Sequence, residues 1–394
     1  MKKIIILGAG IYQVPLIKQA KRMGLYTYVA SIPGKYPGFD MADQVLYINT
    51  TDKEAILNKC REEHVDGILV CGTDVAVPTQ GYVCDQLGLK GPSYSAAVLA
   101  QNKADMKKAF IRNNVRTAEV VYVSIENEYP VDECIGIGFP VIFKSIDSSG
   151  SRGITKVSSP DDIPYAYEQV KMNTRSETYI IEKYLSGDEF GAQAFIYDGE
   201  IQFILPHGDY VFQGDTGVPI GHYAPFDISD EIIEDAKIQL NAAVSALGLN
   251  NCAINADFIL CDGKSYVLEI GARAGATCLV EMTGLYYGFN YYEKIIQASI
   301  GIKPDFQPSI SEYQPNAEML FISDKTGIIE QINTSNVKND KIVDLSFDYS
   351  IGDKVRQFQK GPDRIGQIIA IGDSAAEAKS IIDDAMNNIE IIIK

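Results

Sequence analysis

The stretch Ile254–Arg273, INADFILCDGKSYVLEIGAR, decides how this chain of 394 residues folds. Asp262-Gly263 is a two-residue turn signal between runs of strand-forming residues, the signature of an antiparallel hairpin. A turn centred on residue 263 sets Asp257 on one strand roughly opposite Glu269 on the next. Two buried carboxylates that face each other are costly unless a cation shares them. Mg2+ bridging phosphate oxygens is the natural solution. Arg273 follows Glu269 by four residues in the loop Gly271-Ala272-Arg273-Ala274-Gly275-Ala276, where it can place a forked cation beside the same phosphates. The alternative is a salt-bridge cluster of the two acids with the arginine.

Upstream of the hairpin the signals are also antiparallel, at Glu119–Val123, Phe139–Ser145, Lys156–Ser158, Thr178–Lys183, Phe190–Tyr197 and Glu200–Leu205. Asp198-Gly199 joins the last two as a second hairpin turn. Phe139–Lys144 is an apolar strand ending in a lysine, followed by Ser148-Ser149-Gly150-Ser151-Arg152-Gly153. Small residues let backbone N–H groups approach phosphate oxygens, and serine hydroxyls add donors. Taken alone, such a stretch is also simply a loop. Further on, Tyr179–Leu185 is a strand feeding a short linker, a shape that offers backbone donors and acceptors to a purine edge. Glu189 beyond it can accept from ribose hydroxyls; taken alone, Glu182 and Glu189 read as surface acids. Residues 93–115 read as helical by pattern, Glu231–Leu247 as an amphipathic helix, and 284–300 as helical and rich in tyrosine. Between strand 200–205 and helix 231–247 lies Pro206–Pro225, with His207, Asp209, Gln213, Asp215 and His222.

The first hundred residues alternate strand and helix: Lys3–Leu7, Tyr12–Met23, Tyr26–Ala30, Gln44–Ile48, Asp52–Glu63, Gly67–Cys71 and a helix Val75–Leu87 broken at Pro78. Such alternation implies a parallel, doubly wound sheet. Gly8-Ala9-Gly10 suits a phosphate-cradling turn, but a dinucleotide fingerprint needs glycine at 13 and an acid near 31. Gln13 and Ser31 stand there, so the simpler reading is a tight turn without nucleotide. From about 311 short strands are punctuated by Gly327, Gly352, Gly361 and Gly372. A helix Ala375–Asn387 and a last strand Glu390–Ile393 follow, a small α+β or barrel-like unit.

Composition narrows the class. Lys and Arg number 35 against 52 Asp and Glu, a net charge of −17 that argues against a nucleic-acid coat or a polybasic membrane binder. No apolar run approaches the ~18 residues of a membrane span, and the opening apolar run stops at Gly8-Ala9-Gly10 with no cleavage site, so a cytoplasmic protein is expected. Seven cysteines without a C-x-x-C pair point to buried thiols rather than disulfides or zinc. Three histidines leave little for a hydrolase triad.

The ordered set is more informative than any member. Lys103 at a helix start, Lys144 with its Ser/Gly loop, the Glu182-x-x-Leu185 linker, and the paired acids with Glu269-x-x-x-Arg273 together resemble the ATP-grasp superfamily, in its carboxylate–amine ligase branch alongside biotin carboxylase and purine-biosynthesis enzymes. The resemblance spans the chain. It implies a doubly wound pre-ATP-grasp domain at 1–100, an ATP-grasp domain with antiparallel sheets at 101–310, with a mobile lid at 117–187, and a small C-terminal domain at 311–394. It implies that Lys103 and Lys144 bind ATP phosphates and that the loop of Ser148, Ser149, Gly150, Ser151 and Gly153 covers them. Glu182 with the backbone of Lys183, Tyr184 and Leu185 would hold adenine, and Glu189 the ribose. Asp257 and Glu269 would hold Mg2+, or Mn2+ in its place, and Arg273 and Lys144 would act on the phosphorylated intermediate. The family commonly has asparagine two residues after the second acid, where this chain has Gly271. The implied reaction activates a carboxylate as an acyl phosphate and joins it to an amine, releasing ADP and phosphate. The implied partners are small molecules and a second copy of the chain, with no nucleic acid and no membrane. His222 is the candidate for substrate contact, with a structural histidine as its alternative. A bicarbonate- or formate-using enzyme and a non-catalytic nucleotide-binding protein are the rival readings.

Overall fold

The computed structural model describes residues 1–147, 153–214 and 217–394. Its N-terminal part runs β1 (Lys3–Leu7), α1 (Val14–Arg22), β2 (Tyr26–Ser31), β3 (Gln44–Tyr47), α2 (Lys53–Glu63), β4 (Gly67–Leu69) and α3 (Val77–Leu87). The strands are parallel, in the order β3-β2-β1-β4. Ile4, Ile5, Ile6 and Leu7 are all fully buried, as a strand covered on both faces requires. Pro78 does not break α3; it lies in the first turn, where its missing N–H has no helical partner to lose. In the turn after β1, Gln13 accepts from Gly10 N–H at 2.9 Å and donates to Cys71 O at 2.6 Å. The side chain that replaces the expected glycine therefore spans the turn itself.

The helical stretch expected over 93–115 is two helices, α4 (Tyr94–Gln101) and α5 (Lys103–Arg112). Asn102 ends the first and caps the second, accepting from Asp105 N–H at 3.1 Å. A side chain that competes for backbone donors turns the chain there and places Lys103 at the start of α5.

β5 (Val120–Ser124), α6 (Val131–Ile137), β6 (Val141–Ser145), β7 (Ile154–Val157), α7 (Ile163–Asn173) and β8 (Thr178–Lys183) form a small layer with its own core around Phe143, Val170 and Tyr179. Its sheet is antiparallel, in the order β5-β8-β6-β7. Ser148, Ser149, Gly150 and Ser151 lie outside the described residues. Gly153 lies at their edge, with its carbonyl bonded by Ser145 N–H at 3.0 Å.

The remaining elements are β9 (Asp188–Tyr197), β10 (Glu200–Val211), β11 (Pro219–Ala224), α8 (Asp230–Leu247), β12 (Cys252–Cys261), β13 (Lys264–Gly271), α9 (Leu279–Tyr287), α10 (Tyr291–Ser299), β14 (Asn316–Phe321), β15 (Gly327–Asn333), β16 (Ile342–Phe347), β17 (Lys354–Val355), β18 (Gly366–Ile371), α11 (Ala375–Asn387) and β19 (Glu390–Ile393). Eight of the described strands make one sheet, β13-β12-β9-β10-β11-β14-β18-β16. Both expected Asp-Gly turns are left-handed at each central residue, with φ of 49° and 85° at Asp198-Gly199 and 50° and 71° at Asp262-Gly263.

Two sequence expectations change here. Pro206–Pro225 is mostly strand: β10 continues through Pro206 to Val211 and returns as β11. Pro206 is tolerated because its polar edge faces β11, whose pairing begins only at Gly208, and its carbonyl takes Phe226 N–H at 3.0 Å. Residues 284–300 are the end of α9 and all of α10, separated where Asn290 caps the second helix. The C-terminal strands β14, β18 and β16 extend the large sheet, while β17, β15 and β19 form a separate one. No helix of the described residues is long and apolar enough to cross a membrane.

Candidate active site

Helix α5 carries Lys103 and Lys107 one turn apart on one face. Lys103 reaches Glu269 at 2.7 Å, and Lys107 reaches Glu182 Oε1 at 3.1 Å. Lys144 on β6 meets the other oxygen of Glu182 at 2.6 Å. This closeness follows from the register: Ile142 pairs with Glu182 and Lys144 with Ile180, so Lys144 and Glu182 are diagonal neighbours on one face. Burial would push Glu182 up, but the charges of Lys107 and Lys144 outweigh it and hold its carboxyl down at about 2. Lys107, Lys144 and Glu182 therefore form a compact charged triad. Lys107 was not among the sequence candidates.

The linker offers fewer backbone donors than expected. Lys183 N–H bonds Glu119 O at 2.8 Å and Tyr184 N–H bonds Pro140 O at 3.2 Å, so neither amide is open to a ligand. The Tyr184 ring lies under Lys156 Nζ at 3.7 Å. Glu189 is exposed at the start of β9 and pairs with Ile259 of β12.

Asp257 and Glu269 are direct cross-strand partners on β12 and β13, as the hairpin predicts. The two acids are less buried than expected, Asp257 exposed and Glu269 half-buried, yet desolvation by the surrounding protein first, and then the charge of Glu269, push Asp257 up to about 7. An all-oxygen pair that strains against its own charge is what Mg2+ relieves, so these residues fit the ion. Across from Gly271 stands Asn255, on the same face as Asp257. A Cβ at 271 would lie 3.1 Å from Asp74 Oδ1. An asparagine at 271 would crowd that carboxylate, and the amide beside this acid pair belongs to Asn255 instead.

Arg273 does not join the two acids. Its Nε and Nη2 donate to Asp74 Oδ1 and Oδ2 at 2.8 and 2.9 Å, a bidentate pair. Asp74 comes from the loop after β4, at the carboxyl end of the parallel sheet. The expected salt-bridge alternative for Asp257 and Glu269 is therefore replaced by a different pair.

A polar row continues across the sheet. Asp257 pairs with Gly191, which pairs with His207; Asp209 pairs with His222, which pairs with Glu318. Gly191 must lack a side chain, since a Cβ there would lie 2.1 Å from the His207 ring. His207 Nδ1 and His222 Nδ1 meet Asp209 Oδ1 at 3.1 and 2.6 Å. His222 Nε2 lies 3.8 Å from Glu318 Oε1. Burial would lower His222, but Asp209 outweighs it and raises the imidazole above its usual value. Burial pushes Glu318 up to about 8, and both its oxygens lack hydrogen-bond partners. Asp215 lies outside the described residues.

Near Glu318, Thr277 and Cys278 are both left-handed, with φ of 52° and 61°, a strain typical of functional loops. They line a cavity with Tyr12, Glu281, Arg364 and Gln367. Arg364 is held there by Asp348 and Gln367, each at 2.8 Å. Burial pushes the thiols of Cys60, Cys71, Cys84 and Cys252 up to about 12, which keeps them inert.

Residues 137–281 match the family model described as ATP-grasp domain, and 319–394 match L-amino acid ligase C-terminal domain 2. The chain is 34% identical to phosphoribosylglycinamide synthetase from Anaerococcus prevotii, covering 100% of both chains with a TM-score of 0.87. The L-amino acid ligase from Bacillus licheniformis shares the fold at a TM-score of 0.81 with 18% identity, covering 100% of this chain and 99% of that one. Formate-dependent phosphoribosylglycinamide formyltransferase of Prochlorococcus marinus is 24% identical over 404 residues, 99% of this chain and 98% of its own.

Proposed function

Because the chain belongs to the ATP-grasp superfamily, in its carboxylate–amine ligase branch, we propose roles for its residues in an ATP-dependent C–N ligation through an acyl phosphate. Glu182 accepts from the adenine amino group, and Glu189 from the ribose. Lys103 and Lys144 leave their carboxylate partners and turn to the phosphates. Asp257 and Glu269 hold Mg2+, with Mn2+ able to replace it; the ion supplies charge neutralisation at the transferring phosphoryl group. Arg273, kept in a fixed orientation by Asp74, faces the charge that builds as the carboxylate oxygen takes the γ-phosphate. The amine then displaces phosphate from the acyl carbon, and no protein nucleophile is required. The cavity beside Thr277, Cys278 and Arg364, with Glu281 and Glu318 at hand, suits a cationic amine as the second substrate.

The observation that carries this reading is the cross-strand Asp257–Glu269 pair, with Lys103 on Glu269 and Arg273 close by in sequence but tied to Asp74. Formate as the carboxylate is the second reading, favoured by full-length similarity to formate-dependent relatives. ADP release across formate, bicarbonate and amino acids, each with a panel of amines, tests both readings. A protein that binds MgATP and releases no ADP with any pair would favour the non-catalytic alternative. We further propose a cytoplasmic homodimer, which sedimentation would check.

A further inference from the structure

Lys144 and Lys107 compete for one carboxylate from opposite sides, and they differ in freedom. The Lys107 side chain is 2% exposed and that of Glu182 2%, while Lys144 is 15% exposed. Lys107 is also tethered: its ammonium donates to Thr117 Oγ1 at 2.5 Å, and that hydroxyl donates to Val267 O at 2.7 Å, two residues before Glu269. Lys144 therefore covers Glu182 Oε2 from the open side, while Lys107 lies beneath Oε1 and has nowhere to go. Oε1 is buried and, although 3.1 Å from Lys107, forms no aligned hydrogen bond.

We propose that Lys107 is a positioning residue that keeps the Glu182 carboxylate in place and charge-compensated while Lys144 leaves it for the phosphates. The inference rests on the nucleotide reading above. When Lys144 swings away, Oε2 becomes an acceptor for the exocyclic amino group of adenine. Without Lys107 that movement would strand a buried carboxylate with no counter-charge, a strongly unfavourable state. Lys144 would then stay on Glu182, and both the base contact and a phosphate contact would be lost. Lys107 thus couples base recognition to phosphate recognition, and it favours a 6-amino purine over a 6-oxo purine because an ionised carboxylate can only accept.

Calorimetric affinities for MgATP and MgITP, measured on the full chain, test this. The wild type should prefer ATP. Lys107→Met should weaken MgATP about tenfold or more, the scale of a hydrogen bond to a charged group, and shrink the ATP/ITP ratio. Lys107→Arg should restore most of it. A folded Lys107→Met with the wild-type ratio overturns the proposal. Should Lys107→Met not fold, Thr117→Val keeps the charge and removes the tether; a smaller drop in the ratio supports the proposal and an unchanged ratio overturns it. A wild-type protein that binds neither nucleotide instead removes the nucleotide reading on which the proposal rests.

Discussion

Glu182 and Asp257 are both acids on antiparallel strands, the first buried and the second exposed, yet their surroundings drive them in opposite directions. Two lysines hold Glu182 charged, well below its usual range, while desolvation and Glu269 push Asp257 up to about 7. One carboxylate is compensated by the chain itself and the other is short of a cation. Under the roles proposed above, the difference separates a base-reading group, which must be an acceptor before the ligand arrives, from a metal ligand, which gains its counter-charge only with the ligand.

The largest expected effect lies on the metal side. Glu269→Gln should lower Mg2+-dependent ADP release by about a hundredfold or more, on the scale of metal-ion stabilisation, while thermal unfolding without ligand shifts little. Lys103 and a half-exposed Glu269 make a weak pair; a large loss of stability without ligand would mark Glu269 as structural.

The comparison itself is tested by stability without nucleotide. Glu182→Gln should destabilise by about 3 kcal/mol, since it leaves the buried Lys107 without its counter-charge and facing Lys144. Asp257→Asn should instead be neutral or stabilising by about 1 kcal/mol at pH 8, because it removes a like-charge contact. Denaturant titrations giving the same sign for both would break the contrast.

Asp74→Asn should cost about 1–2 kcal/mol, less than a fully buried pair because Asp74 is 29% exposed. It should also slow ADP release by loosening Arg273. Full activity would remove Asp74 from the site.

The smallest effect is a pH slope. Glu318 is raised from 4.5 to about 8, so the folded form keeps a proton that the unfolded chain has lost. Stability from this group is fully present below about pH 4.5 and is lost as pH rises through about 8. His222 is raised too, and its contribution has the same sign. Glu318→Gln should flatten the fall in melting temperature between pH 5 and 8, and an unchanged slope would place the titration elsewhere.

The pairing of Asp257 with Glu269 was legible because a period-2 strand and a two-residue turn relate residues only twelve positions apart. Lys144 and Glu182 were named as separate ligands, and their contact depends on a register between strands that sequence does not display. Lys107 and Asp74 act through partners 75 and 199 positions away. Asp74 did carry a signal, an acid just past a parallel strand, where doubly wound sheets bind their ligands. Glu318 carried another, the lone acid in the apolar strand Asn316–Phe321, the same anomaly that pointed to Asp257. Asn102 reads through as helix although its side chain ends one helix and caps the next, and Pro206 reads as a boundary although it lies on an unpaired edge inside a strand.

The hydrogen-bonded ladder between β11 and β14 has an engineering consequence. Gly221 to Ala224 pair residue by residue with Met319 to Asn316, so the C-terminal strands cannot be exchanged as a plug-in module. A chimera cut after β13 would need a foreign strand to match this register and to supply an acid opposite His222. A poorly matched graft would leave β11 as a bare edge, inviting chain-to-chain pairing. Retargeting the enzyme by recombination would therefore need donors that share this seam, whereas point changes around Thr277 and Gln367 leave it intact.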